Sequence, residues 1–246
     1  MSSFLDGVLY SADRKRFEQI KDIAAGFAQR YIGHNIIQDD IFSLIENYTK
    51  AKDICLEWIK LPIEDQELCA CTFIRGGRIF VMLNSRLPFS KQIFAAAHEL
   101  YHIWFYLEDK DSDLVSAGSI LKSQTIDEGT TEQEEMEANA FAGLLLVPEA
   151  DLFQQMHLYG INKDHIGVYD VLVLMDIFAV PYKAMVLRLM EEQIISKETA
   201  YDLIDISSED IRKQIMITGK AKRWAICPTG SEKLGSIMEN LSANIE

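Results

Sequence analysis

The stretch FAAAHELYHIWF, residues 94–105, sets two histidines four positions apart inside an almost wholly apolar segment. An α-helix turns by about 100° per residue, so side chains four apart lie on one face, a turn from each other. The segment is predicted to be a helix that places His98 and His102 side by side, with Glu99 next to the first. Burying two imidazoles and a carboxylate among apolar side chains is costly unless they have partners. The pattern therefore favours a bound ion over two histidines satisfied within a core.

The spacing H-E-x-x-H is the one by which two histidines hold a single divalent ion, zinc above all, on a helix. Glu99 is placed to take a proton from water at that ion. A catalytic zinc needs a third protein ligand and an open fourth position. A third histidine six residues beyond His102 is one known solution, but Glu108 occupies that position, which excludes it.

The third ligand is expected in TTEQEEMEANAFAGLLLVP, residues 130–148, which contains four glutamates. On a helix, Glu135 and Asn139 share a face with the small residues Ala138 and Ala142, so this helix can approach the first one closely. Asn139 is placed to hold a ligand by a hydrogen bond. Glu137 points to nearly the opposite side. Glu135 is therefore predicted as the third ligand, with Glu137 as the alternative.

The sequence before the histidine helix is rich in strand signals. DICLEWIKLP (53–62) is strand-like, and ELCACTFIRGGRIFVML (67–83) has two β-rich runs around Gly76-Gly77, a hairpin signal. These runs predict a small antiparallel sheet of about three strands. The chain from about residue 160 onward reads as successive helices. The predicted fold class is α+β, with a mixed part over 1–160 and an all-helical part over 161–246.

These motifs carry a resemblance to a known family. HELYH, preceded by RGGRIFVMLNSRLP and followed about thirty residues later by EMEANAFAGLLLVP, resembles the ImmA/IrrE family of zinc metallopeptidases. The resemblance covers about residues 35–150. It implies a zincin-like peptidase domain that binds one zinc ion through His98, His102 and Glu135, with Glu99 as the catalytic base.

The resemblance also implies a substrate. Members of the family typically cleave helix-turn-helix repressors, so the implied partner is such a repressor, controlling a mobile element or a stress response. In zincins the substrate adds as a strand beside the active-site helix. By resemblance, that edge strand consists of Arg78, Ile79, Phe80, Val81, Met82, Leu83 and Asn84. The chain departs from the family at Tyr101, where Gly is frequent, and at 93–95, where Arg-Phe-Thr is frequent.

Two other functions stay open. The first is a zinc-stabilised binding module that sequesters a transcriptional regulator without cutting it. The second is DNA binding by residues 167–196, whose sequence resembles a helix-turn-helix. A helical hairpin that packs on the peptidase is favoured there, because Lys183 and Arg188 are followed at once by Glu191 and Glu192. The net charge of −14 also argues against nucleic acid as a partner.

Composition indicates a cytoplasmic protein. Four cysteines (Cys55, Cys69, Cys71 and Cys227) occur in no C-x-x-C pair, as expected for free thiols in a reducing compartment. The most apolar run, residues 168–180, is too short to span a membrane and contains two aspartates. The polar, acidic segment 108–130 is predicted to be a surface loop, and this loop and the C-terminal half are the two candidates for restraining the activity.

Overall fold

The structure, a computed structural model, describes residues 5, 7–31, 36–65, 67–108, 120–122 and 131–225. Within them are four strands: β1 (Cys55–Leu61), β2 (Ala70–Arg75), β3 (Arg78–Asn84) and β4 (Ile120–Lys122). The helices are α1 (Leu9–Ala12), α2 (Arg14–Tyr31), α3 (Ile41–Ala51), α4 (Phe89–Glu108), α5 (Glu132–Leu146), α6 (Glu149–Leu158), α7 (Val168–Phe178), α8 (Tyr182–Glu191), α9 (Lys197–Ile204), α10 (Ser208–Thr218) and α11 (Lys222–Ala225). The predicted α+β class is confirmed.

The sheet has the order β1-β3-β2-β4. Strands β2 and β3 form the predicted antiparallel hairpin, because Gly76 and Gly77 both adopt the left-handed conformation that a tight hairpin turn requires. The prediction of a purely antiparallel sheet was wrong, since β1 runs parallel to β3. Strand β1 ends and β2 begins at the end of the sheet where β3 ends, so the connection between them, described over 62–65 and 67–69, crosses the end of β3. The short strand β4, within the predicted loop, was not expected.

Asn84 holds this crossing connection in place. Its side chain is fully buried, and its Oδ1 accepts hydrogen bonds from the backbone N–H groups of Ile63 and Arg86, at 3.1 and 3.0 Å. Its Nδ2 donates to the carbonyl oxygens of Asp65 and Leu68, at 2.9 and 3.0 Å. One amide therefore satisfies three backbone groups of the connection and one of Arg86, just after β3.

The predicted substrate edge, Arg78–Asn84, is not an edge. This run is β3, and it is hydrogen-bonded to β1 on one side and to β2 on the other. Both ladders of its backbone groups are used, so no peptide can add to it as a further strand. Among the described strands, the outer ones are β1 and β4.

Helices α4 and α5 lie at the centre of the molecule. Helix α4 begins just after Pro88 and packs against the sheet and against α5, which in turn packs against α2. Helix α5 begins with a capping box, in which the Thr131 hydroxyl accepts from the Glu134 N–H and the Glu134 carboxylate accepts from the Thr131 N–H. Ala138 and Ala142 are completely buried, as the predicted close approach of the two helices requires.

The helices after residue 160 share the apolar core of the first part. Helix α7 ends at Phe178, and the next residue, Ala179, has a left-handed backbone conformation. Helix α8 begins after Pro181 and completes the hairpin. Arg188 of α8 is only 1% exposed; it donates to the Val147 carbonyl and forms ion pairs with Glu191 and Glu192. An arginine in this position cannot reach DNA, so the packing hairpin describes the segment better. The boundary at 160 stays a prediction.

Two predictions concern the rest of the chain. Within the described ranges, no helix is both long enough and apolar enough to cross a membrane. The three described cysteines, Cys55, Cys69 and Cys71, form no disulfide. Cys227 and most of the acidic segment 108–130 lie outside the described residues.

Candidate metal centre

The two central helices bring three side chains of the predicted site together. Helix α4 contributes His98 and His102, one turn apart, and α5 contributes Glu135. The Nε2 atoms of the two histidines lie 3.1 Å apart. The carboxylate of Glu135 lies 3.3 Å from His98 Nε2 and 3.4 Å from His102 Nε2. The first of these distances is to Oε2 of Glu135 and the second is to Oε1, so each histidine nitrogen faces its own carboxylate oxygen. The three side chains thus form a triangle.

This triangle has the size that a tetrahedral zinc ion requires. Zinc binds histidine nitrogen and carboxylate oxygen at about 2.0–2.2 Å, which places any two ligands of a tetrahedron roughly 3.3 Å apart. The separation of 3.1 Å between the two Nε2 atoms, and the distances of 3.3 and 3.4 Å from these atoms to Oε2 and Oε1 of Glu135, are close to that value. Two imidazoles and one carboxylate are also a ligand set found at catalytic zinc sites, where the fourth position stays open.

The charges within the triangle are strongly coupled. Burial raises the pKa of the Glu135 carboxyl, but hydrogen bonds from His102 and His98 outweigh burial and lower that pKa to about 2. Burial lowers the pKa of His102, but its hydrogen bond with Glu135 and the nearby charge of Glu99 outweigh burial and raise that pKa above the usual 6.5. The site therefore favours positive charge between these side chains, which a divalent cation would supply.

Asn139 orients one of the histidines. It follows Glu135 by one helical turn on α5, and its Oδ1 lies 3.1 Å from Nδ1 of His98. An amide oxygen only accepts, so this contact keeps the proton on Nδ1 and leaves the lone pair of Nε2 directed into the triangle. The sequence prediction for Asn139 placed it beside a ligand, and the structure puts it there.

Glu99 lies beside the triangle and is completely buried. In the part of the chain that the structure describes, neither of its carboxylate oxygens has a hydrogen-bond partner. A buried carboxylate without partners is costly. A metal ion with a water molecule at its open position would provide partners for these oxygens. The residues present therefore fit the bound zinc that the sequence predicted.

Glu137, the alternative third ligand, lies outside the triangle. Its carboxylate accepts hydrogen bonds from the Tyr101 hydroxyl, from Arg16 Nη2 at 2.7 Å and from Gln133 Nε2 at 3.0 Å. These donors occupy both of its oxygens. The structure thus places Glu135, and not Glu137, next to the two histidines.

A cleft of about 260 Å³ opens beside the triangle. Its lining combines two residues of the site with two from the stretch 93–95, where the chain departs from the family, and three that were not predicted to lie here: His98, Asn139, Phe94, Ala95, Cys69, Lys91 and Pro181. Pro181 precedes α8, so the helical part of the chain contributes one wall. No local pattern marks Cys69, Lys91 or Pro181, because only the tertiary fold brings them to the site.

Comparison with known proteins agrees with this geometry. Residues 59–190, more than half of the chain, match the sequence model of a family described as IrrE N-terminal-like domain, Peptidase_M78. The matched range contains Glu99 and all three members of the triangle, whereas α2 lies before it. A search among curated proteins found no match.

Proposed function

The chain belongs to the Peptidase_M78 family, and from this premise we propose that it is a zinc-dependent endopeptidase that hydrolyses a peptide bond in a regulatory protein. The observation that carries the proposal is the triangle formed by His98, His102 and Glu135, beside the carboxylate of Glu99, to which no described residue donates a hydrogen bond. Structural metal sites use all four positions for protein ligands, while catalytic sites keep one open. Three protein ligands and a free carboxylate are the catalytic arrangement.

The chemistry divides between the ion and Glu99. Zinc held by the triangle would act as a Lewis acid toward the scissile carbonyl and would make water at the site more acidic. Glu99 accepts the proton of the attacking water and then donates it to the nitrogen of the leaving amine. Burial suits Glu99 to this work, because no described side chain competes for its oxygens. Asn139 holds His98 in the tautomer that binds the ion.

The substrate enters through the cleft beside His98. Phe94, Ala95 and Pro181 provide apolar surface, and the exposed Lys91 provides a positive charge. Strand β3 is excluded as the docking strand because it is paired on both sides. A peptide therefore has to lie along the cleft between α4, Cys69 and Pro181.

A helix-turn-helix repressor is the substrate class that we propose. The resemblance noted from the sequence suggests it, and the net charge of −14 supports it, since DNA-binding proteins carry positive surfaces that an acidic enzyme attracts. Attraction of this kind weakens as salt screens it. Association with the substrate should therefore slow markedly between low and physiological ionic strength.

A non-cleaving, zinc-stabilised binding module is the second candidate. It would use the same triangle to stabilise α4 and α5 and would sequester the regulator instead of cutting it. The two candidates differ at Glu99, because a binding module has no need for a base. The buried, unpartnered carboxylate favours the peptidase, since such a group lowers stability without benefit to a scaffold.

Glu99→Gln is the variant that separates the candidates. It preserves shape and should retain about one zinc per chain by elemental analysis, while cleavage falls by a factor of about 10²–10⁴ as expected for loss of a general base. Glu132→Gln, an exposed position in the first turn of α5, makes the same change of charge and should behave as wild type.

The measurement is mass-spectrometric mapping of new protein N-termini in cells that express each variant. Wild type and Glu132→Gln should generate the same new N-termini within a transcriptional regulator, and Glu99→Gln should generate none of them. If Glu99→Gln relieves repression of the regulated genes as well as wild type does, the protein binds and does not cut. Wild-type protein that purifies without zinc, and takes up none when zinc is added, would exclude both candidates.

A further inference from the structure

Three helices meet at the buried carboxylate of Glu137. This side chain belongs to α5 and is 3% exposed. Tyr101 of α4 donates its hydroxyl proton to Glu137 Oε2, and Arg16 of α2 donates to the same oxygen at 2.7 Å. Arg16 Nη2 also lies 3.5 Å from the Tyr101 hydroxyl. We call these three residues the α2 clamp.

The α2 clamp joins the two helices that carry the metal ligands, close to those ligands. Tyr101 lies between His98 and His102 on α4, and Glu137 is two residues beyond Glu135 on α5. The Tyr101–Glu137 bond and the His98–Asn139 bond therefore both join α4 to α5. Any shift of α5 along or away from α4 changes the distance from Glu135 to both histidines.

Within the α2 clamp, Arg16 provides the positive charge that stabilises the buried carboxylate of Glu137. A buried carboxylate needs a charged partner, because neutral donors alone do not offset the loss of hydration. Arg16 is the only cation that forms an ion pair with Glu137 among the described residues. Without it, Glu137 has to find other donors, and its bond to Tyr101 changes.

We propose that Arg16 is a positioning residue for the metal centre: through Glu137 and Tyr101 it sets the spacing of α4 and α5, and thereby the size of the ligand triangle. Helix α2 lies before the matched range 59–190, so the inference assigns to the metal centre a requirement outside the family-defining region. The inference rests on the proposed zinc site, though not on peptide cleavage.

Lys21 provides a matched control. It lies on the same helix, its side chain is 29% exposed against 28% for Arg16, and it also forms ion pairs with other helices. Its partners, Glu149 and Glu192, belong to α6 and to the end of α8, which carry no metal ligand. Loss of Lys21 therefore removes one cation and one tether of α2 without touching the α2 clamp.

The test measures zinc affinity of the full-length chain by competition with a chromogenic chelator, together with the thermal midpoint of the zinc-free form. Arg16→Gln should weaken zinc binding about tenfold, the lower end of the range for residues that support metal ligands from outside. Lys21→Gln should leave zinc affinity within about twofold of wild type. Arg16→Lys, which keeps the charge but not the fork of donors, should recover part of the loss.

Tyr101→Phe keeps the ring and removes only the hydroxyl, so it tests the same path by a second variant. If the clamp acts as one unit, adding Tyr101→Phe to Arg16→Gln should weaken zinc binding by no more than about a further twofold, because the effects of coupled residues are not additive. Equal zinc affinity in Arg16→Gln and Lys21→Gln overturns the inference. Wild type that binds no zinc overturns the proposed function instead, so the two failures are distinguishable.

Discussion

The Nδ1 atom of His98 lies 3.1 Å from the Oδ1 atom of Asn139, on the side of the ring away from Glu135. This contact decides which nitrogen of His98 is free to bind an ion. Asn139→Ala removes the acceptor and should weaken zinc binding by about 10- to 100-fold. Asn139→Asp retains an oxygen that accepts from Nδ1 and should stay close to wild type. Isothermal titration with zinc measures both, and equal affinity for Asn139→Ala and wild type would contradict the assignment.

Zinc affinity should depend on pH through His102. Its pKa is raised in the metal-free site, so a proton occupies the ring at pH values where an ordinary histidine is already neutral. Zinc has to displace that proton, so affinity should fall as the pH drops below the raised pKa and should level off above it. Titrations in buffers of different ionisation enthalpy at pH 7 should show proton release on zinc binding. Binding without proton release would contradict the coupling of His102 to Glu135.

Asn84 should contribute to stability far more than a surface asparagine. Asn84→Ala removes four hydrogen bonds to backbone groups and should lower the free energy of unfolding by about 2–4 kcal/mol. Asn162→Ala, which removes one exposed bond to the N–H of Asp164, should cost no more than about 1 kcal/mol. Urea unfolding followed by circular dichroism gives both values. Equal losses in the two variants would show that the connection 62–69 does not depend on Asn84.

Replacing the buried Arg188 should destabilise the protein much more than replacing an exposed arginine. Arg188→Ala removes the ion-pair partner of the buried Glu191 and leaves Glu192 only its contact with Lys21, so it should lower the free energy of unfolding by about 3–5 kcal/mol. Arg78→Ala removes an exposed ion pair with Glu57 and should cost less than about 1 kcal/mol. Denaturant titration compares them. A small effect at Arg188, together with tight binding to duplex DNA, would restore the helix-turn-helix interpretation of 167–196.

The sequence predicted the two histidines of the site correctly because their relative position depends only on the geometry of one helix. His98 and His102 lie together because a helix repeats every 3.6 residues, and no contact with the rest of the chain is needed to establish that. Gly76 and Gly77 predicted the hairpin for a similar reason, since few other residues adopt their conformation. Helix periodicity also placed Asn139 on the face of Glu135, and the structure shows both beside His98.

The edge strand was predicted wrongly because strand order has no local signal. The run Arg78–Asn84 shows the alternation of a strand, but alternation does not tell whether one or two neighbours pair with it. The crossing connection held by Asn84 brings β1 next to β3. The sequence of residues 53–62 does not indicate that its partner strand is parallel. Pairing of this kind joins segments about twenty residues apart and is decided by the packing of the whole sheet.

By itself, the sequence determined the helix with its two histidines, the glutamate beside the first of them, the hairpin and the α+β class, all of which follow from short-range periodicity and turn chemistry. Only the tertiary structure decided that Glu135 meets the histidines while Glu137 meets Arg16 and Tyr101. The physical reason is that both glutamates belong to one acidic helix start, and only the helices packed around it determine which partner each one reaches.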